Sequence, residues 1–165
     1  RLAIHSAQTG HLVLSTSHTN DAAGGITRML VMGVEDYLLT STVNAILAQR
    51  LVRTLDKQSC EPVQLLPEVA AEMGFRDFQE QDSYTVYRPV ATEENPTGYH
   101  GRTSILELLQ MTDSIRRLVM QQGTAGEIHD QAVREGMRTM YQDGLLKCLQ
   151  GVTTIEEVLR VTQEA

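Results

Sequence analysis

The feature that most constrains the fold is a short apolar run followed by a polar loop and a helical pattern. Residues 11–16 (HLVLST) are apolar and partly β-branched, which predicts a buried strand. Residues 17–20 (SHTN) are polar, and Thr19 or Asn20 can cap a helix that continues through Ile26 and stops at Gly33. A strand, a polar loop and a helix in this order are typical of an α/β fold.

A second apolar pattern covers residues 35–55. Leucine, isoleucine and valine recur there at steps of three and four residues, which predicts one long amphipathic helix. Arg50 and Arg53 would lie near its C-terminal end, where the helix dipole favours cations. Their guanidinium groups suit a phosphate or a neighbouring subunit, but solvated surface arginines are the simpler interpretation, and both stay open.

Charge and turn residues divide the chain into three segments. Net charge is +1 over residues 1–55, −6 over 56–100 and −2 over 101–165, which accounts for the −7 of the whole chain. The first segment predicts part of an α/β core. The middle segment contains all four prolines and predicts a small acidic lobe, with a helix near 68–73 and extended structure near 83–87. The last segment predicts a strand near 102–109 and then a helical subdomain of about four short helices.

Turn and cap residues mark local boundaries in the last two segments. Residues 98–102 (GYHGR) have two glycines around an aromatic and a basic residue, so Gly98, Gly101 and Arg102 predict a structural turn with close backbone approach. Residues 124–127 (TAGE) and 154–157 (TIEE) predict capping boxes. Asp143-Gly144 predicts a helix boundary.

Composition argues against several classes of function. No apolar stretch is long enough for a membrane span or a signal peptide, and Cys60 and Cys148 give no disulfide framework. The only lysines, Lys57 and Lys147, are not followed by Ser or Thr, so a P-loop is absent. The acidic balance lacks the basic stripe that nucleic acid binding needs, and no basic amphipathic helix predicts direct membrane insertion. We therefore expect an intracellular chain.

The densest polar cluster lies at the two ends of the predicted strand. His18, Thr19 and Asn20 follow its carboxyl end, where ligands bind in open α/β sheets, and an imidazole there can donate a hydrogen bond to an anionic oxygen. His11 begins the strand, about 20 Å away, so the two histidines do not define a metal pair. Residue chemistry alone also allows both histidines to be structural.

Residues 9–23 (TGHLVLSTSHTNDAA) resemble the histidine box of the secretion and pilus-assembly traffic ATPases. The resemblance continues through residues 48–55, 98–102, 115–116 and 143–145, and residues 151–162 are most similar to the type II secretion ATPase and the type IV pilus extension ATPase. It implies the later part of a RecA-like ATPase domain followed by a helical C-terminal subdomain. In that family the Walker A loop, the aspartate box and the Walker B strand precede the histidine box.

The resemblance also implies a function. The chain would be a C-terminal fragment of a homo-hexameric motor that uses ATP and Mg to drive pilin or pseudopilin assembly, located in the cytoplasm and attached to the inner membrane through platform proteins. We expect the fragment alone to be inactive. The alternative is a standalone, non-hydrolysing interaction module of the same fold that binds a motor or a membrane platform, and the sequence before Arg1 would distinguish the two.

The resemblance assigns roles to individual residues. His18 matches the second histidine of the box, which lies near the terminal phosphate, and His11 matches the first. The remaining residues implied to be near the nucleotide or a subunit interface are Thr19, Asn20, Arg50 and Arg53.

One departure from the family concerns a structural zinc. Many relatives carry two C-x-x-C pairs, and the corresponding positions here are Asp56, Ser59, Ala91 and Glu94, with Cys60 one residue out of step. One cysteine with scattered carboxylates does not make a tetrahedral thiolate site, so we expect no zinc. The acidic lobe would then depend on its own prolines and aromatic residues, namely Pro62, Pro67, Phe75, Phe78, Tyr84, Tyr87 and Tyr99.

Overall fold

A computed structural model of the chain describes residues 2–78 and 80–163, without the side chain of Phe78. The described residues form short helices and two two-stranded sheets. In chain order the elements are α1 (Leu2–Gln8), α2 (Ala22–Val31), α3 (Asp36–Thr42), β1 (Ala45–Leu55), β2 (Cys60–Gln64), α4 (Pro67–Glu72), α5 (Phe75–Phe78), β3 (Thr85–Pro89), β4 (Tyr99–Gln110), α6 (Asp113–Met120), α7 (Ala125–Arg134), α8 (Met140–Leu149) and α9 (Ile155–Gln163).

The chain folds as two compact units, each built from two stretches of sequence. Unit 1 comprises Arg1–Ala48 and Glu107–Arg138, and unit 2 comprises Gln49–Leu106 and Thr139–Ala165. The strands β1 and β4 pair with each other, and each contributes residues to both units. These units cut across the three segments that charge and turn residues indicated.

In unit 1, helix α2 is the element that follows the polar loop, as the sequence predicts. Its N-cap is Asp21, whose carboxylate accepts the N–H of Gly24 at 2.6 Å, rather than Thr19 or Asn20. Ala22, Ala23 and Ile26 are fully buried along one face. An apolar face with a carboxylate cap explains why this segment is helical.

The strand predicted over residues 11–16 is wrong. Residues 11–19 have no regular secondary structure, and the side chains of Leu12 and Leu14 are 85% and 89% exposed. A strand exists only where its N–H and C=O groups pair with a neighbour. Within residues 2–78 and 80–163, both sheets are two-stranded ribbons made by other segments, so this run has no partner strand.

The single helix predicted over residues 35–55 is also wrong. Helix α3 ends at Thr42, Val43 is already extended (φ −82°, ψ 122°), and the rest of the segment is strand β1. Along β1, exposed positions alternate with partly or fully buried ones, and the buried Ala48 and Val52 are four residues apart. Residues four apart lie on one face of a helix and also on one face of a strand. This spacing does not distinguish the two structures, which explains the error.

Unit 2 contains the acidic lobe. Its antiparallel ribbon pairs β2 with β3, from Cys60 opposite Pro89 to Gln64 opposite Thr85. Phe75 and Tyr84 are buried with ring centroids 5.4 Å apart, so the prediction that aromatic residues build this core is confirmed for these two. The side chain of Phe78 lies outside the described part of the chain.

Helices α8 and α9 close the free edges of the β1–β4 ribbon within unit 2. On the β4 edge, Asp143 accepts the N–H of Leu106 at 2.9 Å, and Lys147 donates to the carbonyl of Ser104 at 2.6 Å. On the β1 edge, the Thr153 hydroxyl donates to the Arg53 carbonyl at 2.7 Å, and Glu157 accepts the Arg53 N–H at 2.7 Å. Side chains therefore satisfy backbone groups that a third strand would otherwise pair.

Asp143 and Gly144 lie inside α8 and not at a helix boundary, contrary to the prediction. Asp143 faces the strand edge. Gly144 is buried, and a Cβ built on it would lie 2.6 Å from Cγ1 of Val158 on α9. The absence of a side chain lets the two helices approach closely. The four helices expected in the C-terminal part are confirmed as α6 to α9.

We predict that Gly144→Ala destabilises the chain by about 1–3 kcal/mol, because the added methyl group overlaps the fully buried Val158 and this overlap exceeds the gain in helix propensity. Urea denaturation followed by circular dichroism measures the change. The matched control is Gly126→Ala on α7, where the nearest atom lies at 3.9 Å and stability should stay the same or rise slightly. Equal midpoints for Gly144→Ala and the parent chain would contradict the packing argument.

Candidate functional site

The predicted site residues fall into two sets, one in each unit. His11, His18, Thr19 and Asn20 belong to unit 1, while Arg50, Arg53, Gly98, Gly101 and Arg102 belong to unit 2.

In unit 1, the two histidines lie in the irregular segment between α1 and α2. His11 is exposed, and its Nδ1 lies 3.1 Å from the Thr9 hydroxyl and 3.3 Å from the carbonyl of Ser6. His18 is exposed three residues before the N-cap Asp21. Its imidazole is therefore available to a ligand, whereas His11 is already engaged with the end of α1.

A carboxylate from β4 contacts the start of α2, just after the loop that carries His18. Glu107 is only 3% exposed, and its Oε1 accepts the N–H of Ala22, the first residue of α2, at 2.8 Å. The N–H groups of the first helical turn have no partner inside the helix, and a carboxylate satisfies them with help from the helix dipole. Glu107 is not among the predicted site residues, although its position between Ile105 and Leu109 in an alternating strand pattern places it in a buried row.

In unit 2, Arg50 and Arg53 do not share a helical face near a C-terminus as predicted. Both lie on strand β1, where an odd spacing puts them on opposite faces. The Arg53 guanidinium contacts Glu157 at 2.9 Å, and its central carbon lies 4.1 Å from the ring centroid of Tyr99. The arginine side chain remains 48% exposed, so half of it is open to a partner while the other half is fixed.

Glu157 is the most strongly bound carboxylate of this unit. It is 1% exposed and accepts hydrogen bonds from the guanidinium groups of Arg53 and Arg160 as well as from the Arg53 backbone. Burial alone would raise the pKa of Glu157, but the hydrogen bonds from Arg160 and Arg53 outweigh it and lower the pKa to about 2. The predicted capping box is therefore half formed: Thr154 accepts the Glu157 N–H, while the carboxylate turns to the arginines.

The turn before β4 depends on Gly98. Its φ is +68°, and a Cβ there would lie 2.7 Å from Cβ of Pro89 and 2.9 Å from the nitrogen of Val90. Gly101 also has a positive φ, and Arg102 is exposed on β4. Backbone conformation and close packing together restrict position 98 to glycine.

An open polar cleft of about 610 Å³ occupies the region where relatives of the resembled family carry cysteines. Asp56 accepts the N–H of Gln58 at 3.0 Å and the side-chain amide of Asn95 at 3.0 Å, and these hydrogen bonds, in that order, lower the pKa of Asp56. Asn95 also donates to the carbonyl of Tyr99 at 3.1 Å. In the part of the chain that the structure describes, no three His, Cys, Asp or Glu side chains are grouped to hold a metal ion.

Sequence comparison identifies the family. The sequence model described as "Type II/IV secretion system protein" matches residues 1–160. The chain belongs to this family. It is 60% identical over 165 residues to a type II secretion system protein E of Xanthomonas campestris, and 40% identical over 163 residues to a type IV pilus assembly ATPase PilB of Pseudomonas aeruginosa. The two matches include 100% and 99% of this chain but only 29% of each relative. Both relatives are therefore more than three times as long as this chain.

Solved structures support the α/β fold of this secretion family chain. The pilus retraction motor PilT with bound ADP matches with a TM-score of 0.61 and 21% identity, over 97% of this chain and 35% of that one. The ATPase DotB of Yersinia pseudotuberculosis matches with a TM-score of 0.61 and 17% identity, over 98% of this chain and 33% of that one. The chain shares the fold of about a third of each of these proteins, and the predicted α/β class is confirmed.

We predict that Glu157→Gln destabilises the chain by about 1–3 kcal/mol at pH 7. The change removes the charge of a buried carboxylate that pairs with Arg53 and Arg160, and the half-exposed guanidinium groups keep the loss below that of a fully buried pair. The folded-state pKa lies below the usual 4.5, so the carboxylate stabilises the folded state above pH 4.5 and this contribution disappears as the pH falls towards about 2. Urea denaturation at several pH values measures it.

The control for this experiment is Glu156→Gln, which changes the exposed neighbouring residue. Stability differences for Glu157→Gln that stay constant between pH 7 and pH 3 would contradict the assignment of the ionised carboxylate to the folded state.

Proposed function

We propose that this chain is the C-terminal part of a hexameric ATPase that powers type II protein secretion or type IV pilus assembly. The observation that carries the proposal is the match of the family over residues 1–160, together with relatives named as type II secretion system protein E and type IV pilus assembly ATPase PilB. Cytoplasmic location and attachment to inner-membrane platform proteins belong to the same proposal. Along the described residues, none of the helices has the length and apolar character needed to cross a bilayer.

Within that motor, His18 would contact the terminal phosphate of ATP. Its exposed imidazole can donate a hydrogen bond to an anionic oxygen, and it lies shortly before the N-terminus of α2. Phosphoryl transfer depends mainly on positioned donors that stabilise developing charge. ATP supplies the phosphoryl group, and the described residues offer no grouped ligands for Mg, which would bind with the upstream part of the protein.

Exposed apolar side chains support the view that more protein covers this region. Leu12 and Leu14, on either side of Val13, are 85% and 89% exposed, and Leu2 on α1 is 84% exposed. Three large apolar side chains so fully in solvent are costly if they stay there. In the longer protein we expect another segment to cover these side chains.

Arg53 is the better of the two arginines for a subunit contact. Glu157 and the Tyr99 ring fix one side of its guanidinium, while 48% of the side chain remains exposed. A guanidinium that is already oriented loses less entropy when it binds a carboxylate or phosphate of a neighbouring subunit. Arg50, Thr19, Asn20 and His11 remain proposed as neighbours of the nucleotide or of the interface.

We predict that His18→Ala in the full-length protein lowers kcat for ATP hydrolysis by about 100-fold and changes the ATP affinity much less, because the lost hydrogen bond matters most as charge develops on the phosphoryl group. Steady-state kinetics and nucleotide titration measure the two quantities. The matched control is His5→Ala, which removes an exposed histidine on α1.

An unchanged kcat for His18→Ala would refute the proposed role. The isolated chain serves as a second arm of the experiment, since it should show no ATP turnover without the P-loop. Turnover by the isolated chain would contradict the proposed division of the motor. A full-length protein without any ATP turnover would favour the alternative, a non-hydrolysing interaction module.

Hydrogen bonds would replace the structural zinc of many relatives. Asp56 stands where the first cysteine of the family falls, and its carboxylate binds the side chain of Asn95, the residue after Glu94 at another cysteine position. This contact joins the end of β1 to the loop before β4, which is the connection a zinc ion would otherwise make. The hydrogen bond between Asp56 and Asn95 makes this connection without a metal ion.

We predict that the purified protein contains less than about 0.1 zinc per chain and that EDTA leaves its thermal midpoint unchanged, because no thiolate set is available. Inductively coupled plasma mass spectrometry measures the metal. Asp56→Ala should lower the midpoint, whereas Cys60→Ser should not. One tightly bound zinc per chain, or a loss of stability with Cys60→Ser that matches that of Asp56→Ala, would overturn the proposal.

A further inference from the structure

We propose that Glu107 is a positioning residue for the histidine box: its buried carboxylate fixes the start of α2 and thereby the place of His18. The inference rests on the proposed role of His18 in ATP hydrolysis. It begins from one contact, the 2.8 Å hydrogen bond from the Ala22 N–H to Oε1 of Glu107.

This contact connects two distant parts of unit 1. Glu107 lies on strand β4, 85 residues beyond Ala22, and is 3% exposed in a row that also contains the buried Leu109. An ionised side chain is rarely buried unless its hydrogen bonds offset the lost hydration. The first turn of a helix offers N–H groups that lack partners and a dipole that favours negative charge, and α2 places such a group against this carboxylate.

The two carboxylates at the start of α2, Asp21 and Glu107, have different structural roles. Asp21 caps α2 from within the same segment, accepting the N–H of Gly24 at 2.6 Å, so it moves with the loop. Glu107 belongs to the ribbon, and it is therefore the carboxylate that ties the helix start to a strand. Asp21 orders the first turn of α2, and Glu107 fixes the position of that turn relative to strand β4.

The loop that carries His18 packs at the same place. A Cβ built on Gly25 would lie 3.4 Å from Ile46 on β1 and 3.7 Å from the hydroxyl of Thr19. Thr19 is the residue after His18, so the loop that carries His18 and the strand residue Ile46 both lie close to Gly25 of α2. His18 is four residues before Ala22, and Thr19 beside it is partly buried near α2, so a shift of the helix start should also move His18.

The consequence concerns the rate and not the binding of ATP. A displacement of about 1 Å in a group that stabilises a transition state can cost about 100-fold in rate. Loss of the Glu107 carboxylate should release the start of α2 and misplace the His18 imidazole, while the residues that bind the nucleotide upstream are unaffected. Glu107 would then act through His18, without touching the substrate itself.

The test is a double-mutant cycle in the full-length protein. Glu107→Leu removes the acceptor and should lower kcat at least 10-fold with the KM for ATP changed less than about 2-fold. Glu107→Gln keeps an acceptor oxygen at the same place and should recover part of the rate. The combination of His18→Ala with Glu107→Leu should be no slower than His18→Ala alone within about 2-fold, because both changes remove the same contribution.

Hydrogen exchange measured by mass spectrometry gives a readout that does not depend on catalysis. Glu107→Leu should speed exchange of the amides in residues 20–24 at least 10-fold. The matched control is Glu127→Leu, which removes the carboxylate that accepts the Thr124 N–H at 2.7 Å at the start of α7. This control should speed exchange near residue 124 only and leave kcat unchanged.

The outcomes separate this inference from the proposed function. Unchanged exchange at residues 20–24 in Glu107→Leu, or rate losses that multiply in the double variant, would overturn the positioning role while His18→Ala still lowers kcat. A normal kcat for His18→Ala would instead refute the proposed role of His18 and, with it, the catalytic consequence drawn for Glu107. If Glu107→Leu does not fold, Glu107→Gln is measured in the same way: it should show smaller increases in exchange at residues 20–24 and a smaller loss of kcat, and unchanged exchange would overturn the positioning role.

Discussion

The unpaired edges of a two-stranded ribbon are the constraint on which unit 2 depends. A ribbon of β1 and β4 leaves one row of backbone groups unsatisfied on each strand, and each buried group without a partner costs about 1–3 kcal/mol. Side chains from α8, from α9 and from the loop between them satisfy some of these groups. Asp143 and Lys147 bind the β4 edge, and Thr153 and Glu157 bind the β1 edge. Gly144 then lets α8 and α9 approach each other closely.

Local signals in the sequence predicted the elements that depend on local chemistry. The capping box of α7 and the four helices after β4 follow from short-range patterns, because a cap and an apolar face need only neighbouring residues, whereas the cap of α2 is Asp21 and not the predicted Thr19 or Asn20. Local signals do not decide whether residues 11–16 form a strand. The pattern of these residues is that of a buried strand, but whether they pair is decided by another segment, and none of the described ones pairs with them.

The error over residues 35–55 has a different cause. Apolar residues four apart lie on one face of a helix and also on one face of a strand, so spacing alone does not separate the two. The change of structure at Val43 moved Arg50 and Arg53 from one predicted helix face to opposite faces of β1. The roles of the two buried carboxylates, Glu107 and Glu157, were harder still to predict from the sequence. Glu157 resembled a cap residue, and only its three-dimensional neighbours, Arg53 and Arg160, give it another role.

Two buried carboxylates, one in each unit, connect the structural argument with the functional one. Glu107 and Glu157 each accept a backbone N–H from a segment far along the sequence, Glu107 from Ala22, four residues after His18, and Glu157 from Arg53. A buried carboxylate is expensive, so a fold uses it where position matters more than stability alone. Glu157 fixes the orientation of Arg53 directly through its guanidinium, whereas Glu107 reaches His18 only through the backbone of α2. Changing Glu157 should therefore affect stability first, while changing Glu107 should affect the rate first.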